Sequence, residues 1–83
     1  MEKRLGFVGI IIEDRSANAA AVNELLGQFG DVIVARTGLP YEKRACSAIT
    51  LIVDATTDQL GVLTGKLGSL TGVSVKSMLS KSK

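Results

Sequence analysis

The chain contains no histidine and no tryptophan, and it has one cysteine, one proline, one tyrosine and two phenylalanines. Without histidine, metal sites built on imidazole are excluded, and hydrolytic chemistry loses its usual general base. A single cysteine, Cys46, cannot form an internal disulfide or supply the paired thiols of a metallochaperone. It reads as a buried small hydrophobe, and a lone thiol without histidine is a poor nucleophile. Such cysteine usage fits a reducing, cytoplasmic setting. No apolar stretch approaches the ~20 residues of a membrane span. The opening "MEKRLGFVGIII" has the charge-then-apolar order of a signal peptide, but Glu13, Asp14 and Arg15 cut the run short and no small-residue cleavage pattern follows.

Charge of one sign is also scarce. A net charge of +2 does not call for a polyanionic partner, and Lys76, Lys81 and Lys83 read as solubilising the end of the chain. Aromatics that could stack on bases are nearly missing, because the first strand offers only Phe7 and the third none. A DNA-binding ribbon or helix-turn-helix would need a segment of its own and a denser basic patch. Direct nucleic-acid binding and membrane insertion are therefore not expected. The carboxylates Glu13, Asp14, Asp54 and Asp58 show no pairing that sequence can establish. The chain is read as a binding or interaction module rather than an enzyme, with no metal and no cofactor.

What is present is enough for one domain: 83 residues, 46% apolar and 22% charged. Residues 1–83 are read as a single unit, with about 79–83 as a flexible tail. "RLGFVGIIIE" (Arg4 to Glu13) is a strand. A helix follows over about Ser16 to Phe29, with Val22, Leu25, Leu26 and Phe29 on one face. Gly30 is expected to supply a left-handed cap. "DVIVART" is a second strand, "GLPYEKR" a hairpin loop, and "ACSAITLIVD" a third strand. Thr56 to Leu70 is a second helix opened by a Thr56-x-x-Gln59 capping box, with a stripe of Leu60, Leu63, Leu67 and Leu70. "GVSVKSM" is a fourth strand. The order βαββαβ is the split pattern of an α+β, ferredoxin-like sandwich, with two helices on one face of a four-stranded antiparallel sheet.

The first strand is apolar on both sides. Leu5, Phe7 and Ile11 alternate with Val8, Ile10 and Ile12, and two helices can bury only one set. An antiparallel sheet normally turns polar residues to a free face, so a second subunit is expected to cover this one. Val8, Ile10 and Ile12 are assigned to that interface, together with Leu39 and Tyr41 on the "GLPY" loop. Gly61, Gly65 and Gly68 join them, since they line one face of the second helix away from the leucines. Gly6 and Gly9 lie inside the first strand, where a ligand, a neighbouring backbone, a bulge or simple tolerance would each account for them.

The junction "EDRSAN" joins the first strand to the first helix. Free backbone N–H groups and the positive end of the helix dipole suit an anionic ligand there, with Arg15, Ser16 or Asn18 adding contacts. The plain alternative is that Asp14 or Ser16 caps the helix and the remainder is solvated.

Taken together, "EKRLGFVGIIIEDRS", "GLPY", "SAITLIVDATTDQLGVLTGKLG" and "GVSVKS" resemble an ACT-type regulatory domain. More narrowly, they resemble a family of short stand-alone proteins described as regulators of the iron-only hydrogenase system. The resemblance implies a small effector, such as an amino acid, held between subunits at the first strand-to-helix junction. Carried over by position, it points to Glu13, Asp14, Arg15, Ser16 and Asn18. It also implies a homo-oligomer, dimer or tetramer, and a protein partner in hydrogenase regulation or maturation. The family is similar too to the effector-binding half of nickel-responsive repressors, but the nickel histidines and the DNA-binding half have no counterpart here. Any control of transcription would then pass through another protein. The other reading of the same residues is a structural interaction module without effector, docking a partner through its apolar sheet face.

Overall fold

The computed structural model describes residues 2–13 and 15–81, and for residues 15–17 the backbone alone. The elements are β1 (Arg4–Ile12), α1 (Arg15–Gln28), β2 (Ile33–Tyr41), a 3-10 turn (Glu42–Arg44), β3 (Cys46–Ala55), α2 (Thr57–Gly68) and β4 (Val73–Leu79). The sheet is antiparallel in the order β2-β3-β1-β4. This is the expected βαββαβ sandwich.

Alternation along the strands decides what is buried. Val8, Ile10 and Ile12 of β1 and Ile49, Leu51 and Val53 of β3 point to the helices and are buried. They meet Val22 and Leu26 of α1 and Leu60, Leu63 and Leu67 of α2. Each such side chain contributes about 1.5–3 kcal/mol through burial. The assignment of Val8, Ile10 and Ile12 to a subunit interface is thereby corrected, because they form the centre of the chain's own core. The open face carries the other set, Leu5, Phe7 and Ile11, with Ile52 and Met78 beside them. Periodicity separates the two sets, but it cannot say which one meets the helices. The register of β4 decides it: Ile10 pairs with Val75 and Gly9 with Lys76, so the polar alternation of β4 turns outward with Phe7 and Ile11.

Three further expectations change. "GLPY" is not a loop, since Gly38 to Tyr41 continue β2, paired with Ile49 to Cys46 of β3. Pro40 is tolerated because β2 is an edge strand, where one missing N–H leaves no ladder broken on its outer side. The reversal is made instead by the 3-10 turn and by Ala45, which takes a left-handed conformation (φ 52°, ψ 41°). Gly30 is not left-handed. The end of α1 tightens through i→i−3 bonds, with Phe29 N–H donating to Leu26 O and Gly30 N–H to Gly27 O. The positive-φ glycine is Gly72, before β4. Finally, the expected tail starts too early, because Leu79 belongs to β4 and Ser80 N–H donates to Leu5 O at 2.8 Å.

Helix α2 starts as its sequence requires. Thr56 Oγ1 accepts from Gln59 N–H at 3.1 Å, and Gln59 Oε1 accepts from Thr56 N–H at 2.9 Å. Two donors with no intrahelical partner are satisfied reciprocally. Leu70 lies just past the helix, half-buried against the core. Gly61, Gly65 and Gly68 are exposed on α2. A Cβ at Gly68 would touch Val75, whereas one at Gly61 or Gly65 would meet open space.

Candidate functional site

The helix layer does not reach across the whole sheet. Helix α1 packs on β1 and α2, and past Ile33 the residues of β2 are exposed on both faces. A cleft of about 360 Å³ is left between α1 and β2. Its floor is the end of β1 and the start of β3, where Ile12, Ser47 and Ile49 point to the helix side. Ala19 and Asn23, four residues apart and so on one helical face, form one wall. Arg36, Gly38, Leu39 and Pro40 of β2 form the other. Ala19 is small and Gly38 bare, and a Cβ on Gly38 would meet nothing within 4 Å. The space follows from these two residues.

Across the cleft, Arg36 Nη2 donates to Asn23 Oδ1. Arg36 pairs with Leu51 in the sheet, so it lies on the helix side of β2 although it is charged. That is possible because the edge strand is not covered. A guanidinium with spare donors, an amide and the Ser47 hydroxyl form a recognition set for an anion such as carboxylate or phosphate. Among the described lining residues there is no base to activate the hydroxyl.

The described ends of the sequence-derived junction adjoin cleft residues, Glu13 following Ile12 and Asn18 preceding Ala19. Glu13 is exposed, and its N–H donates to Gly72 O at 2.8 Å, tying the end of β1 to the turn before β4. Asp14 lies outside the described residues. Arg15 and Ser16 open α1, with their side chains also outside the description. Asn18 is half-buried, one residue before Ala19. Asn23, Arg36 and Ser47 were not anticipated. For Arg36 a signal existed, since it is a charge at a position whose parity with Gly38 and Pro40 places it on the helix side. Its partner on α1 is distant in sequence and carries no local mark.

Two further depressions lie among the described residues. One, of about 320 Å³, lies on the open sheet face over Gly9. The second, of about 340 Å³, lies between the helices beside Glu24 and Lys66. Among the described residues no cluster of metal-ligating side chains occurs and no helix is long and apolar enough to cross a membrane.

A four-stranded antiparallel sheet of order β2-β3-β1-β4 with two helices on one face belongs to the ACT-like, ferredoxin-type fold class. The ACT domain of GTP pyrophosphokinase from Chlorobium tepidum superposes with a TM-score of 0.75 at 23% identity, covering 92% of this chain and 99% of that one. Within the class, the chain belongs to the TM1266-like family, "Iron-only hydrogenase system regulator, putative", whose model matches residues 4–77. The uncharacterized protein TM1266 from Thermotoga maritima is 39% identical, with a TM-score of 0.92, covering 96% of this chain and 100% of that one. CPII from Thiomonas intermedia K12, a nitrogen regulatory PII-like protein bound to ADP, AMP and bicarbonate, shares the fold at 20% identity and a TM-score of 0.53, covering 94% and 91%. No curated protein matches the chain.

Proposed function

We propose that this protein is a non-enzymatic sensor subunit in the regulation of an iron-only hydrogenase system. In this reading a small anionic effector, such as an amino acid or a nucleotide, is held in the α1–β2 cleft of a cytoplasmic homo-oligomer. The observation that carries the reading is the Arg36–Asn23 pair spanning a cleft that the chain's own helices leave open. Arg36 takes the effector's acid group, Asn23 and Ser47 orient it, and Glu13, Asp14, Arg15, Ser16 and Asn18 add contacts to it. Binding favours one assembly state over another because the effector fits one of them better. The assembled form then engages a protein partner in hydrogenase regulation or maturation.

Thermal unfolding in the presence of amino acids and of adenine nucleotides tests this. A true effector at about 100 times its dissociation constant stabilises by about 2.7 kcal/mol, which raises the midpoint of a domain this size by about 10–20 °C. The gain should vanish in Arg36→Ala. A ligand whose stabilisation survives both Arg36→Ala and Arg15→Ala/Ser16→Ala places the site elsewhere. Failure of every amino acid and nucleotide to stabilise favours the interaction module without effector, which the exposed apolar sheet face supports.

A further inference from the structure

The open face of the sheet has an order of its own. Register places Ile52, Phe7 and Met78 side by side in one row across β3, β1 and β4. Leu39, Ala48, Ile11 and Ser74 form a parallel row four residues along β1. Between them runs a low row of Thr37, Thr50, Gly9 and Lys76. The face is thus two mainly apolar ridges with a trough between them, and Gly9 is the floor of the trough.

Gly9 is not explained by the chain it belongs to. A Cβ at Gly6, three residues earlier, would lie 2.2 Å from Met78 O, so glycine is required there by the approach of β4. A Cβ at Gly9 would meet only Lys76 O, at 4.0 Å. Glycine in a central strand costs about 0.5–1 kcal/mol relative to alanine, and nothing within the fold offsets it.

We infer that this face docks a second copy of the chain, sheet against sheet, with the two-fold axis parallel to the strands, and that Gly9 is bare to admit it. The inference deepens the oligomeric half of the proposed function and rests on it. The exposed parts of Leu5, Phe7, Ile11, Leu39, Tyr41, Ile52 and Met78 amount to roughly 600 Å² of apolar surface. That is at the upper end of what a monomer leaves wet, and it approaches the ~800 Å² per partner of a standard interface. Charge selects the orientation of the second copy. An axis across the strands at the trough would set Lys76 over Lys76 of the second copy, two like charges in a drying interface. An axis along the strands sets each row over its own reversed copy. Apolar ridge then meets apolar ridge, Gly9 meets Thr50 of the second copy, and Lys76 reaches past Thr37 of the second copy toward water. Aligned packing of two twisted sheets tolerates this arrangement.

The test is sedimentation velocity on the full chain across micromolar concentrations, comparing wild type with Gly9→Val. Valine fits the strand and meets open space in the single chain, so its far-UV circular dichroism should match wild type. It fills the trough, so self-association should weaken by roughly tenfold or more and the assembled mass should fall by half. Wild type sedimenting as a single chain throughout overturns the inference, as does Gly9→Val assembling like wild type. Should Gly9→Val fail to fold, Phe7→Ser/Met78→Ser serves, since both side chains are exposed in one chain. Folding with unchanged mass in that variant also overturns the inference. Arg36→Ala should keep the wild-type mass, so an empty cleft and an absent sheet interface give separate signals. Monomeric wild type that binds an apolar dye on this face would reassign it to another occupant.

Discussion

Replacing Gly6 by alanine tests how closely β4 is held to β1. The new Cβ would lie 2.2 Å from Met78 O, 2.7 Å from Leu79 Cδ2 and 3.0 Å from Leu79 Cα. The obstacle is mainly backbone, which cannot turn aside as a side chain could. Ordinary contact between heavy atoms needs about 3.5 Å, so β4 must retreat by about 1 Å. That lengthens ladder bonds around the Gly6–Leu79 pair and the Ser80 N–H bond to Leu5 O. Overpacking costs about 1–3 kcal/mol, and a rigid obstacle places this case in the upper half, about 2–3 kcal/mol. A domain of this length loses about 4–8 °C per kcal/mol, so the thermal midpoint should drop by about 10–20 °C. Urea unfolding measures the loss directly. Gly9→Ala is the internal comparison, with the same substitution in the same strand but open space around the new atom. At dilutions where chains are separate, it should raise stability by about 0.5–1 kcal/mol, the strand cost of the glycine it removes. If Gly6→Ala is as mild as Gly9→Ala, the close approach of β4 is refuted, and with it the account of why β1 tolerates a glycine at position 6.

Other substitutions probe the remaining structure. Leu51→Ala should cost about 2–5 kcal/mol because the side chain is fully buried, while Ile52→Ala, one residue on and facing outward, should cost less than about 1 kcal/mol in the separated chain; equal losses in urea unfolding would show that the two faces are wrongly assigned. Thr56→Ala removes the acceptor for Gln59 N–H and should cost about 1 kcal/mol, with faster amide exchange in the first turn of α2, and Thr56→Ser should restore both. Ala45→Gly should raise stability by about 0.5–1 kcal/mol, since alanine pays for its left-handed backbone more than glycine loses in the unfolded chain; a lower urea midpoint would refute the conformation at that turn.

Much of this architecture is legible in local pattern. Val22 and Leu26 mark α1, the Thr56–Gln59 box marks the start of α2, and the order of elements follows from period alone. What is not legible depends on contacts between distant segments. Val8, Ile10 and Ile12 and their alternates Leu5, Phe7 and Ile11 are chemically equivalent sets, and only the pairing of β1 with β4 tells them apart. Gly38 and Pro40 carry turn signals, yet they continue a strand because β2 has a free edge and no covering helix. Gly6 and Gly9 look alike in sequence and differ only in what stands opposite them. Arg36 and Asn23, 13 residues apart, come together only through the fold, and no local pattern marks the pair.

The cleft and the open face share strands, and this is where an effector signal would have to pass. In β2, Gly38 and Pro40 point to the cleft side, while Thr37, Leu39 and Tyr41 point to the other face, with Leu39 reaching the rim of the cleft as well. In β3, Ser47 and Ile49 lie on the cleft floor and Ala48 beneath them faces out. Neighbouring residues of one strand cannot move independently, so a ligand that draws Arg36 toward α1 also tilts the Leu39–Ala48–Ile11 ridge. Linkage then fixes the consequence: a pair carries two clefts, so an effector that tightens pairing of the sheets tenfold must bind each cleft of the paired form about threefold more tightly, a total coupling of about 1.4 kcal/mol. Effector affinity per cleft in wild type and in Gly9→Val should therefore differ by the square root of the factor by which saturating effector changes self-association. Equal effector affinity in the two proteins would mean that cleft and face, although built on the same strands, do not communicate.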